Sequence, residues 1–196
     1  MRALFAIAIG TLAAVAVSQA QTSSTADRTS LEQVFTPNGR VRMDLSAGGY
    51  RISASNDNKI YMRWTTRHAS DLRRVRASAD VKGSDATIST DGPGDNFEVE
   101  IQVPSPASLY VRLSAGELRI KGIEGDKNVS AHAGEIDIEV GRAEQYRRVD
   151  ASVWAGELQV GPFGKSKEGL FRSFDWSGQG RYTLQAHLEA GEVRLH

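Results

Sequence analysis

There is no cysteine among the 196 residues. No disulfide can brace the fold, and no thiolate can act as nucleophile or metal ligand. Net charge is missing too, since Lys plus Arg and Asp plus Glu each number 24. Nucleic-acid binding normally shows as a basic excess, so this balance argues against that partner. Aromatic residues are only 7% of the chain. The apolar run Leu4 to Val17 falls short of the roughly 18 residues that a membrane-spanning helix needs. Glycine, by contrast, occurs 19 times, which points to many turns between short strands. The length suits one domain with a real core.

The first twenty residues have the form of a secretory signal. Arg2 is a short positive start, Leu4 to Val17 is apolar and Ala-rich, and Ser18-Gln19-Ala20 places small residues for cleavage after Ala20. No Cys follows for lipid attachment. The expected organisation is a signal peptide over 1–20, a flexible Ser/Thr-rich mature N-terminus over 21–33, and one domain over 34–196. This predicts a periplasmic or secreted protein of a bacterial cell envelope, not integral to the membrane after cleavage.

One template recurs: apolar, x, apolar, x, Ala-Gly-acid, apolar, x, apolar. Its copies centre on Ala115-Gly116-Glu117, Ala133-Gly134-Glu135, Ala155-Gly156-Glu157 and Ala190-Gly191-Glu192. A degenerate early copy has Ala47-Gly48-Gly49. On either side of the centre the pattern alternates with period two, as in half-buried strands. Across the centre the parity slips, so the chain must bend there. Gly48, Gly116, Gly134, Gly156 and Gly191 are the expected structural turn positions. Two arrangements satisfy this: the corner of a β-solenoid whose coils stack in parallel, or the tight loop of an antiparallel hairpin in a meander or sandwich. The similar spacing of the first copies favours the solenoid. Segment 162–180, rich in Gly, reads as a looped insertion before the last copy.

The N-terminal half also alternates, at Ile60, Met62 and Trp64, at Val75, Ala77, Ala79 and Val81, and at Phe97, Val99, Ile101 and Val103. Turn clusters separate these runs, and Pro104 and Pro106 close the last. Segment 67–76 is basic and has room for a helical turn. Its Arg67, Arg73, Arg74 and Arg76 suit a solvated edge that discourages strand-to-strand aggregation. Fold class is therefore all-β and single-domain.

The run from Phe97 to Pro104, then Leu109 to Gly125 with its Gly122-Ile123-Glu124-Gly125 step, and Gly178-Gln179-Gly180-Arg181-Tyr182 carry a resemblance. They resemble the bacterial "putative adhesin" family, a domain of unknown function with Gly-acid repeats. The resemblance covers about residues 35–196. It implies a β-solenoid-like, adhesin-type domain in an exported protein, and it brings no catalytic residues. Two departures are Gly48-Gly49 in place of Gly-acid and the wide separation of the last two copies.

Glu117, Glu135, Glu157 and Glu192 share one repeat position and would form a ladder in stacked coils. Such a row suits a cationic ligand or Ca²⁺, but no calcium loop accompanies it, and Arg119 and Arg194 stand ready to neutralise it. Trp154 has outward parity and suits sugar stacking; the competing expectation is cover by the Phe163, Phe171, Phe174 and Trp176 cluster. His68, His132, His187 and His196 are scattered, without metal-site spacing. No G-x-S-x-G elbow appears. The expectation is a non-enzymatic structural or interaction module with no cofactor, no metal and no catalytic residues. Its partner would be an envelope protein or a glycan. The alternative is a carbohydrate-active enzyme using acids on one solenoid face. Because the chain stops directly after a strand at Leu195-His196, end-to-end self-association is a further expectation.

Overall fold

The computed structural model describes residues 29–94, 96–163 and 165–196. The expected signal peptide over 1–20 lies outside them. Twelve strands form one hydrogen-bonded sheet. They are β1 (Ser30–Val34), β2 (Arg40–Leu45), β3 (Gly48–Ser55), β4 (Lys59–Thr65), β5 (Arg76–Lys82), β6 (Asp85–Asp91), β7 (Glu98–Pro104), β8 (Ser108–Lys121), β9 (Lys127–Ile138), β10 (Tyr146–Val160), β11 (Lys165–Ser177) and β12 (Tyr182–Leu195).

The repeat copies are long strands that continue through their Ala-Gly-Glu centres, so the glycines expected as turns lie inside strands, each just after a break in the pairing register. Strands β8, β9, β12 and β10 lie side by side and parallel, with Gly116, Gly134, Gly191 and Gly156 in one register. Each long strand has two arms, one before the glycine and one after it. Leu113 before the centre and Leu118 after it are both buried. The exchange of faces is made at glycine, where φ is +123 at Gly134, a region closed to most side chains. The early copy obeys the same rule in two pieces: β2 pairs with the first arm of β8, and β3 with the second, Gly48 opposite Gly116.

The buried residues of both arms join one core, including Val111, Leu113, Leu118, Ile120, Val129, Ile136, Leu158 and Val193. Between β8 and β9 the chain returns from the second arm to the first through Gly122-Ile123-Glu124-Gly125, tucking Ile123 inward at 4% exposure. Leu109 then stands opposite Lys127. Outside β2 and β3 the two arms separate. The first continues to β6 and β5, and the second to β7, β4 and β1. At the β5–β6 hairpin Lys82 faces Asp85, so Gly83-Ser84 is a two-residue loop. Gly83 comes first, at φ +62, as a type II′ turn requires. No repeat glycine of the four long copies is a hairpin loop, since each lies inside a continuous strand; those copies stack in parallel, and antiparallel pairing occurs elsewhere, at β1–β4, β4–β7, β5–β6 and β10–β11.

Some expectations change. Residues 165–177 are strand β11, antiparallel to β10, and not an insertion loop. Phe174 and Trp176 sit opposite Ala151 and Val149, so this strand extends the core, with Phe174 buried. Ser30 to Gln33, expected to be flexible, pair with β4 as part of β1. The C-terminal strand is not an edge, because β12 is paired with β9 on one side and β10 on the other. Self-association through a bare C-terminal strand loses its premise. Segment 67–76 does hold a short helical turn, a 3-10 turn over Ala69–Arg74.

Candidate functional site

Stacking the copies in register lines up side chains that are far apart in sequence. Counting back three residues from each central Ala gives Arg112, Ser130, His187 and Ser152 on β8, β9, β12 and β10, with Ser173 following on β11. Counting back one residue gives Ser114, His132, Glu189 and Trp154, all exposed. The pairing registers skip these last positions, so each is a local irregularity just ahead of the glycine. Both rows have outward parity, since Leu113, Ala131, Leu188 and Val153 between them are buried.

The rows bound a groove on the outer surface of the first arm with a volume of about 730 Å³. The short side chains of Ser130 and Ser152 leave space, and His132, Glu189, Trp154 and Phe171 border it. Hydrogen bonds run across the strands: Ser152 Oγ lies 2.8 Å from His187 Nδ1, and His132 Nδ1 lies 3.0 Å from Glu189 Oε1. At the far end Trp154 and Phe171 make an edge-on pair with ring centroids 4.0 Å apart. They remain 60% and 63% exposed. Phe171 has φ +54, a conformation that costs a bulky residue roughly 1–3 kcal/mol.

The expected cover for Trp154 does not form as a single cluster. Phe163 packs on Phe174 and Trp176, with centroids 5.4 Å and 5.0 Å away. Phe171 breaks from that group and joins Trp154 outside.

The glutamate row lies past the glycines on the second arm, apart from the groove. Glu117 is ion-paired with Arg119. Arg194 binds Glu192 at 2.5 Å and Glu135 at 3.0 Å, with Asp137 at 3.5 Å. The bond to Glu192 holds the Arg194 guanidinium above its ordinary range. Gln159 Nε2 donates to Glu157 at 2.6 Å and to Glu192 at 3.0 Å. Arg119 and Arg194 thus pair with three of the four glutamates, and Glu157 meets only the neutral amide of Gln159. Trp154 and these glutamates do not form one site. Among the described residues no cluster of three metal-ligating side chains occurs. Among the described residues the groove borders one carboxylate, Glu189.

No family model matches the chain, and no curated protein matches it. Solved structures do. A crystal structure of a "putative cell adhesion protein" from Clostridium sporogenes ATCC 15579 superposes with a TM-score of 0.53 at 14% identity, over 85% of this chain and 97% of that one. A "putative adhesin" from Bacteroides fragilis NCTC 9343 aligns over 88% of this chain and 99% of that one at 7% identity, with a TM-score of only 0.31. The first shares the fold. The second is too distant to carry weight.

The histidines looked scattered because their spacing, 55 residues between His132 and His187 in the sequence, spans several strands. Aligning the copies on glycine was the available signal, since it places His132, Glu189 and Trp154 at one repeat position and Arg112, Ser130, Ser152 and His187 at another.

Proposed function

We propose that this chain is a non-enzymatic, adhesin-like module of the bacterial cell envelope, periplasmic or secreted, that binds a glycan across the outer groove of its stacked strands. The observation that carries this reading is the exposed Trp154–Phe171 pair beside a polar groove. Large aromatics left on a surface mark an interaction site, and a flat ring face is suited to the apolar face of a sugar. The strained backbone at Phe171 supports the same reading, since such strain persists where the surroundings impose it and clusters at functional sites. Export is supported by the pattern of residues 1–20. Among the described residues no helix is long and apolar enough to cross a membrane. The name of the Clostridium neighbour fits adhesion.

The test is a glycan array probed with the purified protein, with product release followed in the same wells. Binding without turnover, lost in Trp154→Ala, is the expected result. Turnover would refute the non-enzymatic reading, and binding that survives Trp154→Ala would refute the assignment of the groove.

A further inference from the structure

We infer that the glycan held by this groove is an acidic linear polysaccharide, lying across the strands with one end on Trp154 and a carboxylate on Arg112. This rests on the glycan reading above and adds to it charge, direction and length.

The charge follows from comparing the two arms. On the second arm Arg119 and Arg194 are matched by the glutamate row. On the first arm Arg112 is exposed at one end of the groove and is in no ion pair among the described residues. Arg172 borders the other end, and its Nε is buried without a hydrogen-bond partner. Glu189 is the one acid on the border, and it is taken by His132. The remaining lining offers hydroxyl and imidazole groups from Ser130, Ser152 and His187. A groove with two guanidinium groups outside any ion pair among the described residues, and with its bordering acid hydrogen-bonded to His132, favours carboxylate, which arginine binds through a planar two-point fork.

The direction and length follow from the ladder. The bordering residues lie on β8, β9, β12, β10 and β11, neighbours in that order. From Trp154 on β10 to Arg112 on β8 is three strand steps, a distance of about 14 Å. A stretched chain of pyranose rings advances by a similar step per ring. One or two rings stacked on Trp154 cannot reach Arg112, and about four can. Because the rows run straight across in register, a linear chain fits and a branched one meets the bordering residues.

The experiment measures binding of the full protein to uronate oligomers of two and four residues, from pectate and alginate, and to the same tetramers with carboxyl groups reduced to alcohols. The acidic tetramer is expected to bind about tenfold or more tighter than its reduced form, the size of one charged hydrogen bond. Arg112→Ala should reduce that preference for the tetramer several-fold, leaving the part due to Arg172, and leave dimer binding unchanged. Trp154→Ala should weaken all the oligomers. Equal affinity for acidic and reduced tetramers, or an Arg112→Ala effect of the same size on the dimer, overturns the inference and leaves the glycan reading standing if Trp154→Ala still weakens binding. Absence of binding to every oligomer, alongside array binding to neutral glycans lost in Trp154→Ala, overturns only the acidic assignment. Absence in both overturns the two readings together.

Discussion

Gly134→Ala is the sharpest test of the kinked stack. Gly134 has φ +123, and a Cβ there would fall on the carbonyl oxygen of Gly116 in the neighbouring strand, inside contact distance. The obstacle is backbone, which cannot swing aside as a flexible side chain would. Two costs add. Positive φ disfavours an alanine by about 1–2 kcal/mol, and forcing a methyl into packed backbone costs about 1–3 kcal/mol. The sum is about 3 kcal/mol, which lowers the melting temperature of a chain this long by roughly 6 to 12 °C. Gly141→Ala is the control. Its φ is +69, yet no atom lies within 4 Å of the added methyl. There the strain is partly offset by the stiffer unfolded chain, so the net loss is below about 1 kcal/mol. Urea and thermal unfolding, followed by circular dichroism, compare the two. Equal losses in both variants would refute the argument that contact between stacked glycines, and not conformation alone, demands glycine at the kink.

Four further outcomes are expected. Lys127 is buried at 1% exposure, donates to Tyr146 Oη at 2.8 Å, and burial lowers its pKa from 10.5 to about 8. The folded chain therefore binds fewer protons than the unfolded one between these values, and stability rises with pH through that window by about 3 kcal/mol. Lys127→Met should lack this rise and resist more urea than the parent at pH 7, while Tyr146 keeps its bond to the Val140 carbonyl; identical pH slopes in urea titrations would contradict it. Phe171→Gly should leave stability within about 1 kcal/mol of the parent, because relief of the positive φ is offset by the freer unfolded chain and the lost contact with Trp154, while weakening glycan binding; a melting temperature lower by more than about 4 °C would show that the ring is held for packing. Trp154→Ala should leave the melting temperature within a few degrees of the parent and reduce glycan affinity about tenfold or more in calorimetry, as an exposed aromatic anchor does. Arg112→Ala should reduce the preference for acidic over reduced tetramers several-fold and weaken the sensitivity of that binding to added salt.

Among the described residues the sheet has three edge strands, β11, β5 and β1, each open to pairing with another chain. Strand β11 is one edge, and it carries Arg172 and Asp175. Charges along an edge discourage pairing with another chain. At another edge β5 pairs only with β6, and Arg73, Arg74 and Arg76 precede or open it. The basic run therefore sits where the sequence argument put it, beside an edge.

Most of the strands, and the kink at the repeat glycines, are legible in the local pattern of residues. Alternation over two residues is a local property, so Met43 and Leu45, Ile60 to Trp64 and Phe97 to Val103 announced their strands, and the parity slip at each Ala-Gly-Glu demanded a bend that glycine allows. Strand β6 was missed because Asp85, Ser89 and Asp91 dilute its short apolar set of Ala86 and Ile88, and β11 because its glycines and charges imitate a loop. Only the tertiary structure decided that β12 lies between β9 and β10. That order depends on which edges satisfy one another's backbone hydrogen bonds, and nothing local encodes it. The same long-range pairing gathered the groove: His132, His187, Glu189, Trp154 and Arg112 become neighbours because parallel strands in glycine register set equal repeat positions side by side.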